Sequence, residues 1–527
     1  MMRFFEIIPG ALAWATLIGM VVFSWKFPAE VSVFIILFDI YWLLKTVYLS
    51  FHLRSTYNAM KENMKVKWLD KLKSETGMPQ EKTLIIDPKF SHVNHIDQPT
   101  LRWEEIWHLV IFPMHNEPYE VVRESFLRLT HANYPKDKVL VVISVEESGG
   151  TDAVLTSEKI YEEFRNSFSG FLRTTHPAGS LGELPGKGSN EAWAARRARE
   201  ELIDPRKIAY DKILVSVFDV DTQVFPEYLG RLTHAFIHAP NRLRAVYQPI
   251  PLFINNIFEA PALARIVSFS SSFWQMMQQA RPERLTTFSS QSLPFKVLID
   301  IGYWNVDVVS EDSRIFWQGY LQYHGDFHVV PLAYPVSMDA NVAHTWWQTL
   351  KNIYKQQRRW GWGAENIPYM LAGFRTDPKI PRGKKWYWSF NVIEGFHSWA
   401  TNALMIFALG WLPVMLGGHV FNETLLSYNL PRLTRLIVNI SMLGISTTAV
   451  LAILLLPPKP EKFNSWHYFL YFIQWALIPV TLIAFGAFPG LEAQTRLMLG
   501  GKARLGFWVT PKGRYAKGEA VKKGAVV

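Results

Sequence analysis

The sequence predicts an α/β protein whose mainly parallel sheet domain is inserted between N- and C-terminal transmembrane helices. Three observations predict it. Long uncharged apolar runs lie near both ends, each able to span a bilayer. From about residue 107 to 347 the pattern changes to short β-rich runs alternating with helical stretches, the signature of a parallel sheet. Each β-rich run then leads into a polar loop, and in such sheets ligands collect at the strands' carboxyl ends.

Composition narrows the function. A chain of 527 residues exceeds one ordinary domain, and 19% charged residues beside 49% hydrophobic ones is low for a wholly soluble enzyme. The 55 basic and 45 acidic residues give a net charge of +10, which suits an anionic membrane leaflet or a nucleotide diphosphate. No nucleic-acid-binding motif or basic-aromatic repeat is present, so nucleic acid is not an expected partner. There is no cysteine, which excludes disulfides, cysteine-based zinc sites and thiol catalysis.

Residues 7–25 form the first apolar run. No small-residue cleavage site follows it, and a second run at 31–50 comes almost at once, so two spans are expected rather than a signal peptide. The second run carries Asp39 and Lys45, which must face protein or lie near an end. His52, Arg54, Lys61, Lys65, Lys67, Lys71 and Lys73 follow, and the positive-inside rule puts this side and the N-terminus in the cytosol. Residues 109–112, 139–145 and 213–218 read as strands, and 119–129 and 190–201 have helical spacing. After Pro381, apolar runs return at 399–416 (or from an earlier entry at Trp386), 436–456 and 468–488, followed by a tail with Arg496, Lys502, Arg504, Lys512, Arg514, Lys517, Lys522 and Lys523. Three crossings would leave this tail outside, against the charge rule. Either one run is interfacial or re-entrant, or a further crossing exists.

Several polar clusters can carry chemistry. Residues 213–221 form an apolar strand ending in Asp219-x-Asp221, whose alternation aims both carboxylates to one side. There they can hold a divalent cation that bridges a diphosphate, although a capped turn after a strand gives the same pattern. Glu311 and Asp312 follow Ser310 at a loop entering a helix. They are either first-turn acids favoured by the helix dipole or, for Asp312, a general base for an acceptor hydroxyl. Gln356, Arg359 and Trp360 share a face of an amphipathic helix expected over 345–370. Arginine suits a diphosphate and an indole suits a sugar ring; a snorkelling arginine beside an interfacial tryptophan has the same pattern. His115, His324 and His328 read as surface or core histidines.

In order, the chain carries Phe112-Pro-Met-His-Asn116-Glu117-Pro118, Glu146-Glu147, Lys187 to Asn190, Asp219-x-Asp221, Glu311-Asp312 and Gln356-x-x-Arg359-Trp360. This series resembles the processive branch of the family 2 glycosyltransferases, which includes the cellulose, chitin and hyaluronan synthases. Phe507-Trp-Val509-Thr510-Pro-Lys512 is similar to the gating-loop motif FxVTxK of the cellulose synthases. The resemblance implies a GT-A fold, an inverting mechanism, Mg²⁺ or Mn²⁺, and a nucleotide-sugar donor, usually a UDP-sugar. It implies that Asn116 and Glu117 border the nucleotide pocket, that Asp219 lies near the ribose and diphosphate, and that Asp221, with Asp219, holds metal. It makes Asp312, beside Glu311, the base. Gln356 and Arg359, with Lys187, would hold the donor, and Trp360 would stack on the acceptor. Phe507, Val509, Thr510 and Lys512 would close over the nucleotide.

Two departures leave specificity open. Glu146-Glu147 stands where an Asp-Asp pair usually contacts the nucleobase, and Phe288-Ser-Ser-Gln-Ser292 replaces an FxGT-like acceptor segment. The implied organisation is two transmembrane helices (1–55), a juxtamembrane basic linker (56–105), a GT-A-like catalytic domain (106–345) and an interface segment (346–385), then transmembrane helices (386–490) and a basic cytosolic tail (491–527). The acceptor would be a glycan or lipid-linked hydroxyl at the membrane, in contact with lipids. A non-processive transferase on a lipid-linked acceptor, or an inactive scaffold or transporter, would share these features.

Overall fold

The computed structural model describes residues 2–75, 101–460 and 463–511; Lys512 and the tail residues after it lie outside them. The chain opens with α1 (Met2–Lys26), α2 (Pro28–Lys65) and the short α3 (Trp68–Glu75). The sheet domain then runs β1 (Trp107–Met114), α4 (Tyr119–Thr130), β2 (Val139–Glu146), α5 (Thr151–Phe164), β3 (Gly170–His176), α6 (Lys187–Ala198) and β4 (Ile213–Val217). It continues with β5 (Gln223–Val224), α7 (Tyr228–His238), β6 (Ala245–Phe253), α8 (Ala262–Gln279), β7 (Ser292–Pro294) and α9 (Phe295–Asp300). The remaining elements of the domain are α10 (Glu311–Gln322) and β8 (His328–Met338).

The eight strands form one sheet in the order β3-β2-β1-β4-β7-β6-β8-β5. Pairing is parallel for β1 with β2 and β4, for β2 with β3, and for β6 with β8; β7 and β5 join antiparallel. Strands covered on both faces need apolar residues at nearly every position, and β2 (VLVVISVE) is buried throughout. Alternate side chains feed two cores. Val110, Phe112, Val141 and Ile143 meet Val122 and Phe126 of α4 and Leu232 of α7. Leu109, Ile111, Val142 and Val215 meet Ala192 and Ala195 of α6 and Phe316 of α10.

After the sheet domain come α11 (Trp346–Gly361), α12 (Asn366–Thr376), α13 (Arg382–Ala408), α14 (Leu412–Leu416), α15 (Gly418–Asn422) and α16 (Leu425–Leu454). The chain ends in α17 (Ser465–Ile473), α18 (Ile478–Leu482) and α19 (Phe488–Leu499). Four stretches among the described residues are long and apolar enough to cross a membrane: Met2–Lys26, Pro28–Lys65, Leu425–Leu454 and Ser465–Leu499. The helices pack as a bundle beside the domain. Thr16 of α1 meets His397 of α13 at 2.8 Å, and Ile35, Met405, Leu409 and Leu430 share one apolar cluster. A methyl group at Gly417 would touch Pro28, and one at Gly444 would touch Thr46. The half-buried Lys45–Glu394 pair at 3.2 Å gives the cation in the second apolar run its partner on α13.

The last apolar run follows a different path from the others. It is interrupted near Pro479 and Pro489, where proline removes a helix hydrogen bond donor. It also touches the sheet domain and α11 at several points. Phe463 meets Phe258, Gln474 accepts from Arg265 at 3.0 Å, and Trp475 stacks on Phe273 of α8. Further on, Glu492 of α19 accepts from Tyr354 and Arg358 of α11 at 2.8 and 2.6 Å. The run at 399–416 is divided between α13, which begins at Arg382 and plants Trp388 against Phe316 and Trp317, and α14 after a turn at 409–411.

Phe126 is fully buried between Phe112, Phe164 and Phe171 at ring distances of 4.6–5.7 Å. Phe126→Ala is expected to cost about 3–5 kcal/mol. Urea unfolding of the detergent-solubilised protein, followed by tryptophan fluorescence, measures it. A loss below about 1 kcal/mol would show that the aromatic cluster does not hold this face of the sheet.

Candidate functional site

Because β1, β2 and β4 run parallel, their carboxyl ends open on one edge and their loops meet there. The approach is close. A Cβ on Gly149, after β2, would lie 1.9 Å from the His115 carbonyl after β1, so only glycine fits. A cavity opens at this edge, lined among others by His115, Glu117, Glu146, Lys187, Asp219 and Arg359.

The acids of the first two loops divide their tasks. Glu117 accepts from the His115 amide at 2.8 Å and holds the loop after β1, while Asn116 is exposed and lies outside the lining. Glu146 is buried and meets His176 Nδ1 at 3.0 Å, and His176 Nε2 meets Glu183 at 2.8 Å. Burial alone would lower the His176 pKa, but the Glu146 and Glu183 carboxylates raise it above the ordinary imidazole value. Glu147 instead accepts from the Ala178 amide at 2.8 Å.

At the centre stands Lys187, the first residue of α6. The helix starts three residues before the expected 190, because Ser189 Oγ donates to the Leu184 and Gly186 carbonyls and closes the first turn. The ammonium lies 2.9 Å from Asp219, 2.9 Å from Asp312, 3.3 Å from Glu191 and 3.7 Å from Glu311. Gly188 permits this, since a Cβ there would sit 2.8 Å from the Asn305 carbonyl and 3.0 Å from Glu311 Cβ. The loop before α10 is fixed from the other side. Glu365 accepts from the Val309 and Ser310 amides at 3.0 and 2.8 Å and from the Ser310 hydroxyl at 2.6 Å.

Four carboxylates around one ammonium cannot all stay ionised. Burial, reinforced by Asp312, pushes the Glu311 carboxyl up to about 8, with Lys187 and Arg359 pulling the other way. Burial also holds Glu191 well above the usual carboxylate range. Burial opposes the charge on Lys187, yet Asp219, Asp312, Glu191 and Glu311 outweigh it and raise its pKa well above the ordinary value. Both oxygens of Glu191 are buried without a hydrogen bond among the described residues. Glu191, Glu311 and Asp312 each offer an oxygen within 4.8 Å of the others. Such a hard, anionic oxygen set fits Mg²⁺ or Mn²⁺.

The Asp-x-Asp pair does not point one way. The strand stops at Val217, and a turn closed by the Thr222 amide on the Asp219 carbonyl ends the alternation. Asp219 faces the cavity and accepts from Ser289 of the 288–292 segment at 3.0 Å. Asp221 is buried, and its Oδ2 accepts from the Asp339 amide at 3.0 Å.

The face expected on α11 is likewise divided. Arg359 lines the main cavity, whereas Gln356 and Trp360 line a smaller one with Phe253, Asp339 and Asn341. Trp360 sits between Phe253 and Phe288, at ring distances of 5.9 and 5.6 Å. The tail reaches the main cavity through Phe507, Val509 and Thr510. Phe507 packs against Gly186 and lies 5.2 Å from the Arg359 guanidinium, and Thr510 is buried.

Two residues of the site were missed by motif reading. Glu191 lies four residues after Lys187 on one helix, a spacing that signals an ion pair. Glu365 acts across 55 residues of chain and leaves no local mark.

No family model matches the sequence, and no curated protein matches it. Among solved structures, the chain is similar to the mannosyltransferase PcManGT from Pyrobaculum calidifontis in complex with GDP-Man and Mn²⁺. The identity is 12% over 82% of this chain and 99% of that one, with a TM-score of 0.38. It is also similar to TarS 1-349 of S. aureus in complex with UDP-GlcNAc, at 15% identity over 66% of this chain and 90% of that one, with a TM-score of 0.34. These structural neighbours are glycosyltransferases.

The Glu311 carboxyl is protonated in the fold from its ordinary 4.5 up to about 8, where that of the unfolded chain is ionised. The folded state therefore binds the extra proton, and stability is expected to fall as pH rises through this window. Glu311→Gln removes that contribution and should flatten the decline, leaving the share due to Glu191. Melting curves from pH 5 to 9 measure it (buffer range set by the window). An unchanged slope would show that Glu311 titrates normally.

Proposed function

We propose that this chain is a membrane-embedded, inverting glycosyltransferase of the processive family 2 type. It would move a sugar from a nucleotide-sugar, with a UDP-sugar as the first candidate, to a hydroxyl of a glycan or lipid-linked acceptor. One observation carries the reading. A single cavity at the carboxyl edge of the parallel strands collects Glu117, Glu146, Lys187, Asp219, Arg359 and the tail residues Phe507, Val509 and Thr510, from motifs spread over most of the sequence.

In this reading Lys187 and Arg359 attract the diphosphate, with Gln356 one turn away from Arg359. Mg²⁺ or Mn²⁺, when bound, offsets the charge of the leaving diphosphate. Asp219 is the carboxylate already facing that position, and Asp221 joins it by releasing the Asp339 amide. The Lys187 ammonium, 2.9 Å from Asp312, orients the carboxylate that takes the proton, with Glu311 beside it. The acceptor hydroxyl gives its proton to Asp312 while its oxygen bonds to the anomeric carbon. The bond from that carbon to the diphosphate oxygen breaks, and the oxygen leaves with the electron pair. Attack from the opposite face inverts the configuration. Trp360, between two phenylalanines, offers the acceptor sugar an aromatic face. Phe507, Val509, Thr510 and Lys512 exclude water from the donor.

The site reading is tested by mixing purified protein with a panel of nucleotide-sugars and Mn²⁺ or Mg²⁺, and measuring the nucleoside diphosphate released. At least one donor should turn over, and Asp312→Asn should lower transfer by about 10²-fold or more while leaving donor binding largely intact. A variant retaining more than half the rate would show that Asp312 is not the base. Mass spectrometry of the product separates the processive reaction from addition of a single sugar.

For the membrane, we propose that α1, α2, α13 and α16 cross and that residues 465–499 lie along the cytosolic face. The packing of both ends of that segment on α8 and α11 supports this. Four crossings return the tail to the side of the catalytic domain, in keeping with its basic residues. With no native cysteine, single cysteines report the topology directly. Lys502→Cys should resist a membrane-impermeant maleimide in intact cells, and His419→Cys, on the far side of the bundle, should react. The reverse pattern would refute the topology.

A further inference from the structure

A second cluster of ligand-type side chains lies apart from the main cavity, where α3 packs on α7. His234 and His238 are one turn apart on α7, with parallel rings 4.2 Å apart. Both Nε2 atoms lie 3.5 Å from one oxygen of Glu75, Oε2, at the end of α3. The other Glu75 oxygen faces Lys71 at 3.9 Å, so Oε2 is the one left for the imidazoles. One ligand atom from each of the three residues lies within 4.8 Å of the others. His234 is buried, and Trp68 covers its ring at 4.8 Å. Arg231 reaches over the same indole, but its Nε donates to the Leu332 carbonyl at 2.9 Å.

Three features distinguish this cluster from an ordinary histidine–carboxylate pair. First, the hydrogen-bonded pairs of this chain are shorter: His324–Asp377 is 2.7 Å and His176–Glu183 is 2.8 Å. Second, Glu75 Oε2 is buried and accepts no hydrogen bond among the described residues. Third, His238 Nδ1 is 2.9 Å from the His234 carbonyl. A carbonyl can only accept, so this nitrogen carries the proton. A neutral ring in this tautomer presents its Nε2 lone pair to Glu75 Oε2, so that two acceptors face each other. A cation between them resolves the conflict. Fixing the tautomer through the remote ring nitrogen is the usual way in which a ligating histidine is oriented.

We propose that Glu75, His234 and His238 bind a zinc-class divalent cation that ties α3, and through it α2, to α7 of the sheet domain. Bonds of about 2.0–2.1 Å from two imidazoles and a carboxylate to a tetrahedral centre put the ligand atoms roughly 3.3 Å apart, close to the 3.5 Å seen here. Water takes the fourth position. Two nitrogens and one oxygen favour a borderline metal such as Zn²⁺ over Mg²⁺, which prefers oxygen alone. The site is structural, because α3 buries Trp68, Leu69 and Leu72 in the core shared with α7. The spacing was visible in the sequence as His234-Ala-Phe-Ile-His238 on a helix. Its third ligand, 159 residues before the first histidine, was not.

The test uses the full-length protein in detergent, stripped with a chelator and kept in excess Mg²⁺ so that the oxygen-rich acidic site is filled. Co²⁺ is the spectroscopic probe. About one equivalent should bind with the intense visible absorption of a tetrahedral centre, Zn²⁺ should bleach it, and Zn²⁺ should raise the melting temperature. Glu75→Gln and His238→Gln should each abolish the absorption and the melting shift while remaining monodisperse on size exclusion. His238 and Glu75 are only partly buried, so neither change empties the core. Absence of tetrahedral absorption in the wild type overturns the proposal, as does its survival in both variants.

Discussion

The ammonium of Lys187 is the point on which the site depends. It begins α6 and reaches Asp219 beyond β4, Glu191 one turn further along α6, and Glu311 and Asp312 at the start of α10. Removing one partner from a buried charge cluster leaves the others uncompensated, which costs more than the pair itself contributes. A single side chain therefore joins three segments that also share one apolar core. Glycine at 188 and Glu365 behind the Ser310 loop allow α10 to come close enough.

The surrounding architecture supplies the edge at which this cluster sits. Parallel strands are covered on both faces, so their loops must emerge at the ends, and only the carboxyl edge combines the loops after β1, β2 and β4. The helices outside the domain close the remaining side. Arg359 comes from α11, and α11 is itself held by Glu492 of α19 through Tyr354 and Arg358. The residues beyond α19 then bring Phe507 against Gly186. The cavity is lined from both ends of the domain and from the chain that follows it.

Much of this was legible in the sequence, and for identifiable reasons. Strands buried on both faces are continuous apolar runs, so residues 139–145 could be read directly from Val139 to Val145. What the sequence concealed involved partners distant along the chain. Hydropathy measures composition but not direction, so it marked residues 468–488 as apolar without showing that Trp475 packs on α8 and Glu492 on α11. The entry expected at Trp386 lies inside α13, whose first turns plant Trp388 in the domain core. Alternation predicted a common direction for Asp219 and Asp221, but the strand stops at Val217 and a turn intervenes. Gln356 and Trp360 parted from Arg359 because α11 is flanked by cavities on two sides, and a helical wheel records only one helix.

The junction of the first and last helices of the described chain bears on how the molecule is made. A methyl group at Gly10 would collide with the Gln494 carbonyl and with Met498, so the two helices touch backbone to backbone. Arg3 donates to the Leu497 carbonyl at 2.9 Å, and Glu6 pairs with Arg504. On the ribosome, α1 is finished nearly five hundred residues before its partner exists. It must wait with an unfilled glycine notch and with Glu6 paired only to Arg3 of its own helix. That junction can form only once residue 504 has emerged, so the same contact that fastens the bundle also reports that synthesis has reached the tail.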